Sequence, residues 1–123
     1  MDLKELTQSM NRFVEAKGWY APGSLRPQTP RNIAISLSLE AAEVLEHFQW
    51  SENTADPEEV SGELADVALY LFQLSSVLGI DLEQAVLTKL EKNYSRTWDD
   101  PKGAGREDAG REAADKVKKD HNA

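Results

Sequence analysis

The chain has no cysteine and only two histidines, His47 and His121, in 123 residues. Disulfides and thiolate–zinc sites are excluded, a histidine-rich transition-metal centre is disfavoured, and the redox compartment is left undefined. Basic residues are outnumbered: 14 Lys and Arg stand against 22 Asp and Glu, giving a net charge of −8 and a pI near 4.7. That balance argues against a nucleic-acid polymer or an anionic membrane as partner. It does not argue against a nucleotide, because carboxylates hold polyphosphates through Mg2+. No apolar run approaches the roughly 20 residues of a membrane span, and the opening MDLKELTQSM lacks the apolar core of a signal peptide. A cytoplasmic protein is expected. No stretch alternates apolar and polar residues with period two, so no sheet is expected either.

What the sequence does contain is helix punctuation. Asp2, with Glu5 three residues later, has the spacing of a capping box, opening a first helix that Gly18 can close. Thr29-Pro30 places a capping hydroxyl before a proline suited to the first turn, opening a second helix to about Trp50. Asp56-Pro57-Glu58-Glu59 repeats the device with a capping box for a third helix, ended by Gly79; Asp81 with Gln84 starts a fourth, reaching about Thr97. Four such segments in a chain with 40% hydrophobic residues predict an all-α, four-helix bundle-like domain over residues 1–100. Residues 19–28, WYAPGSLRPQ, are the one long connection. Residues 101–123 are poor in large apolar side chains and are expected to form a polar, flexible tail.

The stretch SLEAAEVLEHFQW, residues 38–50, mixes acids with large apolar groups. At about 100° per residue, Ile33, Leu37, Val44, Leu45 and Phe48 share one stripe of the second helix, and Ile35, Leu39 and Trp50 form a smaller patch. Ser36, Glu40, Glu43 and His47 lie between them. On the third helix Val60, Leu64, Val67, Leu71, Leu74 and Leu78 form the main stripe, bordered by Glu63, Asp66 and Tyr70. Asp66 is the single charge in LADVALYLF, a segment apolar enough to be central in a bundle. Burying an unpaired carboxylate there costs several kcal/mol or more, so Asp66 is expected to need a cation. Arg31, Lys89, Lys92 and Arg96 are candidates. If instead the two acidic faces meet, Glu40, Glu43, Glu63 and Asp66 converge and require a divalent ion. All-oxygen ligation selects Mg2+ first and Mn2+ second. Two E-x-x-[DE] pairs also suit plain solvated faces, so the pattern alone leaves both readings open.

The pair Glu40-x-x-Glu43 followed by Glu63-x-x-Asp66 on successive helices resembles the all-α nucleoside triphosphate pyrophosphohydrolases, the MazG-like proteins and the dCTP pyrophosphatases. The likeness covers roughly residues 5–98. PRNIAISLSLEAAEVLEHFQW is similar to the family's Pro-Arg-Asn opening, E-x-x-E helix and Phe-Gln-Trp end. GELADVALYLFQLSSVLGIDLEQAVLTKLEKNYSR resembles its E-x-x-D helix, the small-residue break before an aspartate, and a last helix with Lys and Asn one turn apart. The resemblance implies Mg2+-dependent hydrolysis of a (deoxy)nucleoside triphosphate at the α-phosphorus, giving monophosphate and pyrophosphate. House-cleaning of non-standard nucleotides and control of deoxynucleotide pools are both compatible purposes. Glu40, Glu43, Glu63 and Asp66 then become the metal ligands, with Glu43, or Glu40, orienting or deprotonating the attacking water. Asp66 also matches a position approaching the sugar, and Tyr70 one near the sugar or a phosphate. Lys89 and Asn93 match phosphate contacts, and Arg96 shares their face. Trp50 corresponds to a base-pocket tryptophan, Asn32 to a base contact, and Arg31 is a weaker candidate. Two departures concern the base pocket: the link YAPGSLRPQT between Trp19 and Pro30 is longer than in the dCTP-type enzymes, and Gln28 and Thr29 stand where the family carries a histidine.

Competing readings are a phosphoribosyl-ATP pyrophosphohydrolase-like enzyme and a non-enzymatic acidic helical module that binds a basic partner. A di-iron carboxylate bundle wants Glu-x-x-His, and the residue three before His47 is Val44. Four short helices leave apolar faces over, so a homodimer or a dimer of dimers is expected, as the family also suggests.

Overall fold

The computed structural model describes residues 1–53 and 56–96. The first helix, α1, spans Leu3–Ala16. Asp2 accepts a hydrogen bond from the Glu5 N–H and Glu5 accepts one from the Asp2 N–H, both at 2.8 Å, so the capping box is complete. Such a cap contributes about 1 kcal/mol. After Lys17 the chain turns through Gly18 at φ +74°, a conformation that costs glycine little.

Helix α2 spans Pro30–Glu46, with Pro30 in the first turn and the Thr29 hydroxyl accepting from the Asn32 N–H at 3.2 Å. The expected end near Trp50 is corrected to Glu46. Beyond it the N–H groups of His47, Phe48 and Gln49 reach back three residues, to Val44, Leu45 and Glu46. The last carbonyls are thereby satisfied in tightened turns rather than in a further α-turn.

Helix α3 spans Pro57–Val77, and Asp56 Oδ1 accepts from the N–H groups of Glu58 and Glu59 at 3.1 and 3.2 Å. At its far end Gly79 takes φ +68° and the Ile80 N–H returns to the Ser75 carbonyl at 2.8 Å, the 6→1 bond of a Schellman close. Helix α4 spans Leu82–Ser95, capped by Asp81, which accepts from the Gln84 N–H at 3.0 Å. Thr97 and the expected tail at 101–123 lie outside the described residues. Among the described residues there is no strand, and no single helix is long and apolar enough to cross a membrane.

The chain divides into two compact units, Met1–Ala85 and a second beginning at Val86. Within the first, α3 packs on both α1 and α2, as its nearly all-round apolar sequence requires. The α2–α3 pair is antiparallel: Gln28, just before α2, meets Gln73 late in α3, and His47, just after α2, meets Glu63 early in α3. Asn11 of α1 donates to the Ser76 hydroxyl at 2.9 Å. Met10, Val14 and Ile33 are the buried apolar side chains among the described residues, Ile33 most completely. Leu37, Val44, Val60, Val67 and Leu74 are half-buried, whereas Leu45, Phe48, Leu64, Leu71 and Leu78 of the same stripes are exposed. One copy of the chain therefore leaves much of its apolar surface in water.

Candidate functional site

The antiparallel register of α2 and α3 sets Glu40 and Glu43 of one helix against Glu63 and Asp66 of the other. Glu40 is half-buried, and its Oε2 is sealed from solvent with no hydrogen-bond donor. Burial raises the Glu40 pKa above the ordinary carboxylate value. A hydrogen bond with Glu43 and the charges of Glu43, Asp66 and Glu63 raise it further.

Glu63 repeats the pattern. Its Oε2 is also sealed from solvent, and its polar neighbour there is the His47 Nε2 at 2.5 Å, an ion pair when the imidazole is protonated. His47 is a neighbour to which the sequence pattern assigned no role. The signal for it was present, since it lies in the same polar lane of α2 as Glu40 and Glu43, one turn beyond Glu43.

The expectation that Asp66 is the buried acid is corrected. Asp66 is exposed, as is Glu43, and the sealed oxygens belong to Glu40 and Glu63. The physical reason is that Leu64, Ala65 and Leu69 beside it are themselves exposed, so its apolar neighbours in sequence do not cover it. The four acids meet within electrostatic reach of Glu40, but among the described residues no three Asp, Glu or His side chains are drawn into a ready ligand shell. The donor set nonetheless fits a hard cation: all candidate ligands are carboxylate oxygens, two of them are sealed from water, and that of Glu40 has no hydrogen-bond partner.

One helical turn from the acids, the same helices border a cavity of about 390 Å³. Ser36 and Asn32 line it from α2, and Tyr70 and Gln73 from α3. The loop 19–28 closes it with Trp19, Arg26 and Gln28. The Arg26 guanidinium sits over the Trp19 ring at 5.7 Å, a cation–π arrangement. Asn32 donates through Nδ2 to the Pro27 carbonyl at 2.9 Å, tying the loop to the first turn of α2. Another hollow, of about 340 Å³ between α1 and the α3–α4 turn, contains none of the four acids.

Of the residues expected to bind substrate, the structure therefore brings Asn32 and Tyr70 to the cavity beside the acids. It does not bring Trp50, which stands 90% exposed past the end of α2 and is not among the lining residues. Arg31 lines a shallow depression with Ile35 and Leu39 instead. Lys89 and Asn93 are exposed on α4 and Arg96 follows it, all three in the unit beginning at Val86. Gln73 and Arg26 went unnoticed in the sequence. A glutamine in an apolar helix was the available signal for Gln73; nothing in the local pattern marked Arg26.

The MazG-like family model matches residues 35–112, a span that contains all four acids. Mouse dCTP pyrophosphatase 1 is 37% identical over 76 residues, 54% of this chain and 45% of the mouse protein. Human dCTP pyrophosphatase 1 is 36% identical over a stretch of the same length. The chain thus spans a little under half the length of these relatives. The crystal structure of a pyrophosphatase from Archaeoglobus fulgidus superposes with a TM-score of 0.60 at 39% identity, covering 74% of this chain and 87% of that one.

Proposed function

The chain belongs to the MazG-like family, and from that premise we propose that it is a Mg2+-dependent nucleoside triphosphate pyrophosphohydrolase. It would hydrolyse a (deoxy)nucleoside triphosphate at the α-phosphorus, serving nucleotide-pool control or house-cleaning. The observation that carries this reading is the pair of sealed oxygens on Glu40 and Glu63, the first without a hydrogen-bond partner and the second against His47, set among further carboxylates beside a cavity of about 390 Å³. The pyrophosphatase names of the relatives support it. An acidic module for basic partners would hold all its carboxylates in water; Glu43 and Asp66 are exposed, but Glu40 and Glu63 each have one oxygen sealed from it.

Glu40, Glu43, Glu63 and Asp66 are the residues that would hold the ion, with Mn2+ as a substitute. Bound there, a hard divalent ion supplies Lewis acidity and neutralises charge on the phosphoryl oxygens. The chain's own side chains do the rest. Glu43, exposed one turn along α2 from Glu40, orients a water and takes its proton as the oxygen attacks the α-phosphorus. The bond from that phosphorus to the bridging oxygen breaks, and pyrophosphate leaves. Tyr70 and Asn32 position the sugar and base. Lys89, Asn93 and Arg96 are proposed as phosphate contacts on the sequence likeness alone. The exposed Leu39, Leu45 and Leu64 support assembly with a second copy of this chain.

The test is a panel of common and damaged triphosphates incubated with Mg2+ and scored for monophosphate and pyrophosphate. Glu43→Gln and Asp66→Asn should each lower turnover by a factor of about 100 or more with helicity unchanged. Orthophosphate and diphosphate as products, or robust activity in both variants, would defeat the assignment.

A further inference from the structure

Gln73 is the most deeply buried polar side chain of the cavity, 3% exposed in an otherwise apolar stretch of α3. Its orientation is fixed by a chain of hydrogen bonds that begins at the main chain. The Arg26 carbonyl can only accept, so the Gln28 amide faces it with Nε2, at 2.7 Å. That leaves Gln28 Oε1 toward Gln73, which must therefore donate with its own Nε2, also at 2.7 Å. Gln73 touches the Tyr20 hydroxyl as well, and Tyr20 is in turn anchored by donating to Asn11 Oδ1 at 2.7 Å. These contacts engage the amide nitrogen of Gln73. Among the described residues its carbonyl oxygen receives no hydrogen bond.

An amide carbonyl at the floor of a cavity, locked so that it cannot present its N–H instead, is an acceptor waiting for a donor. Its distance from the acids is informative. Gln73 lies seven residues beyond Asp66 on one helix, about 10 Å along the axis at the α-helical rise. That is about the span from an α-phosphorus through a sugar to the far edge of a base. Trp19, with Arg26 over its ring, offers a flat wall of the kind on which bases stack.

We propose that Gln73, held in one orientation by Gln28, is a specificity-determining residue whose side-chain carbonyl accepts a hydrogen bond from the exocyclic amino group of the substrate's base. The enzyme would then favour cytosine or adenine nucleotides over their deaminated counterparts, which put a carbonyl where the amine was. Two acceptors would face each other, and a site built to receive an N–H rejects such a ligand. This inference rests on the pyrophosphohydrolase reading for its kinetic readout but not for its binding readout.

The experiment compares kcat/KM for dCTP against dUTP and for dATP against dITP, with Mg2+, in the wild type and Gln73→Met. It also compares dCMP with dUMP and dAMP with dIMP binding by calorimetry, which needs no turnover. In at least one pair the wild type should favour the amino member about tenfold or more, and the variant should bring the ratio to near unity. The double variant Gln28→Met/Gln73→Met removes both hydrogen-bonding partners together and leaves neither orphaned, so it should fold and show the same collapse of the ratio. A general packing defect would lower both members of each pair and leave their ratio intact. Turnover without Gln73-dependent discrimination overturns this inference and leaves the hydrolase reading standing. Selective monophosphate binding, lost in Gln73→Met, with no hydrolysis of any triphosphate, does the reverse. A wild type that prefers the keto bases, or binds none of the monophosphates, also overturns it.

Discussion

Replacing Glu40 by Gln keeps the side chain's shape and removes its charge, and it should make the metal-free protein more stable at neutral pH. Glu40 Oε2 is sealed without a donor, beside three other carboxylates. Leaving a buried acceptor unsatisfied costs about 1–3 kcal/mol. Because Glu40 is only half-buried, solvent screening brings the gain from Glu40→Gln to the low end, about 1 kcal/mol. In a domain of this size that is about 4–8 °C in Tm. The pH dependence follows from the direction of the shift. Glu40 holds its proton more tightly folded than unfolded, so its contribution is fully present below its ordinary value of 4.5 and is lost as pH rises through the raised folded value. The variant and wild type should therefore melt together near about pH 4 and separate toward neutrality. Magnesium should reverse the ranking, because an ion at 100 times its Kd stabilises the protein that binds it by about 2.7 kcal/mol. Thermal melts in EDTA and in Mg2+, at fixed protein concentration, measure all of this. A Glu40→Gln protein that is less stable than wild type in EDTA at neutral pH would refute the reasoning.

Gly79→Ala should cost about 1 kcal/mol, read as a drop in the urea midpoint; a Cβ there meets nothing within 4 Å, so the loss is that of holding φ at +68°. Sedimentation should find the chain at least dimeric, since Leu39 and Leu45 are 61% and 67% exposed, and Leu39→Asp or Leu45→Asp should shift it toward monomer. A wild type that sediments as a monomer at high concentration would remove the case for a partner copy.

Much of the helical frame is legible in the sequence because caps are local. Asp2, Thr29, Asp56 and Asp81 each bond an N–H two or three residues away, and that geometry needs no tertiary contact. The end of α2 was less legible. Its last carbonyls can be satisfied by bonds from three or four residues on, and Phe-Gln-Trp suits either choice. The pairing of Glu40/Glu43 with Glu63/Asp66 was visible as a spacing and as a family resemblance. Which of the four acids lose water was not. Asp66 has the more apolar neighbours in sequence, yet Glu40 and Glu63 carry the sealed oxygens. Trp50 shows the same limit, since a tryptophan at a helix end can pack inward, reach a ligand or stand in water, and here it stands in water.

By itself the sequence determined four helices, their boundaries at all four N-terminal caps and at the glycine turns, and two acidic pairs each spaced by about one turn. Those are consequences of hydrogen bonds and side-chain periodicity within about four residues. Only the tertiary structure decided that Gln28 and Gln73, 45 residues apart, lock each other at the floor of a cavity, and that His47 comes against Glu63. Burial and orientation depend on which helix faces arrive opposite one another. That register is set by the packing of α3 between α1 and α2, and no local rule contains it.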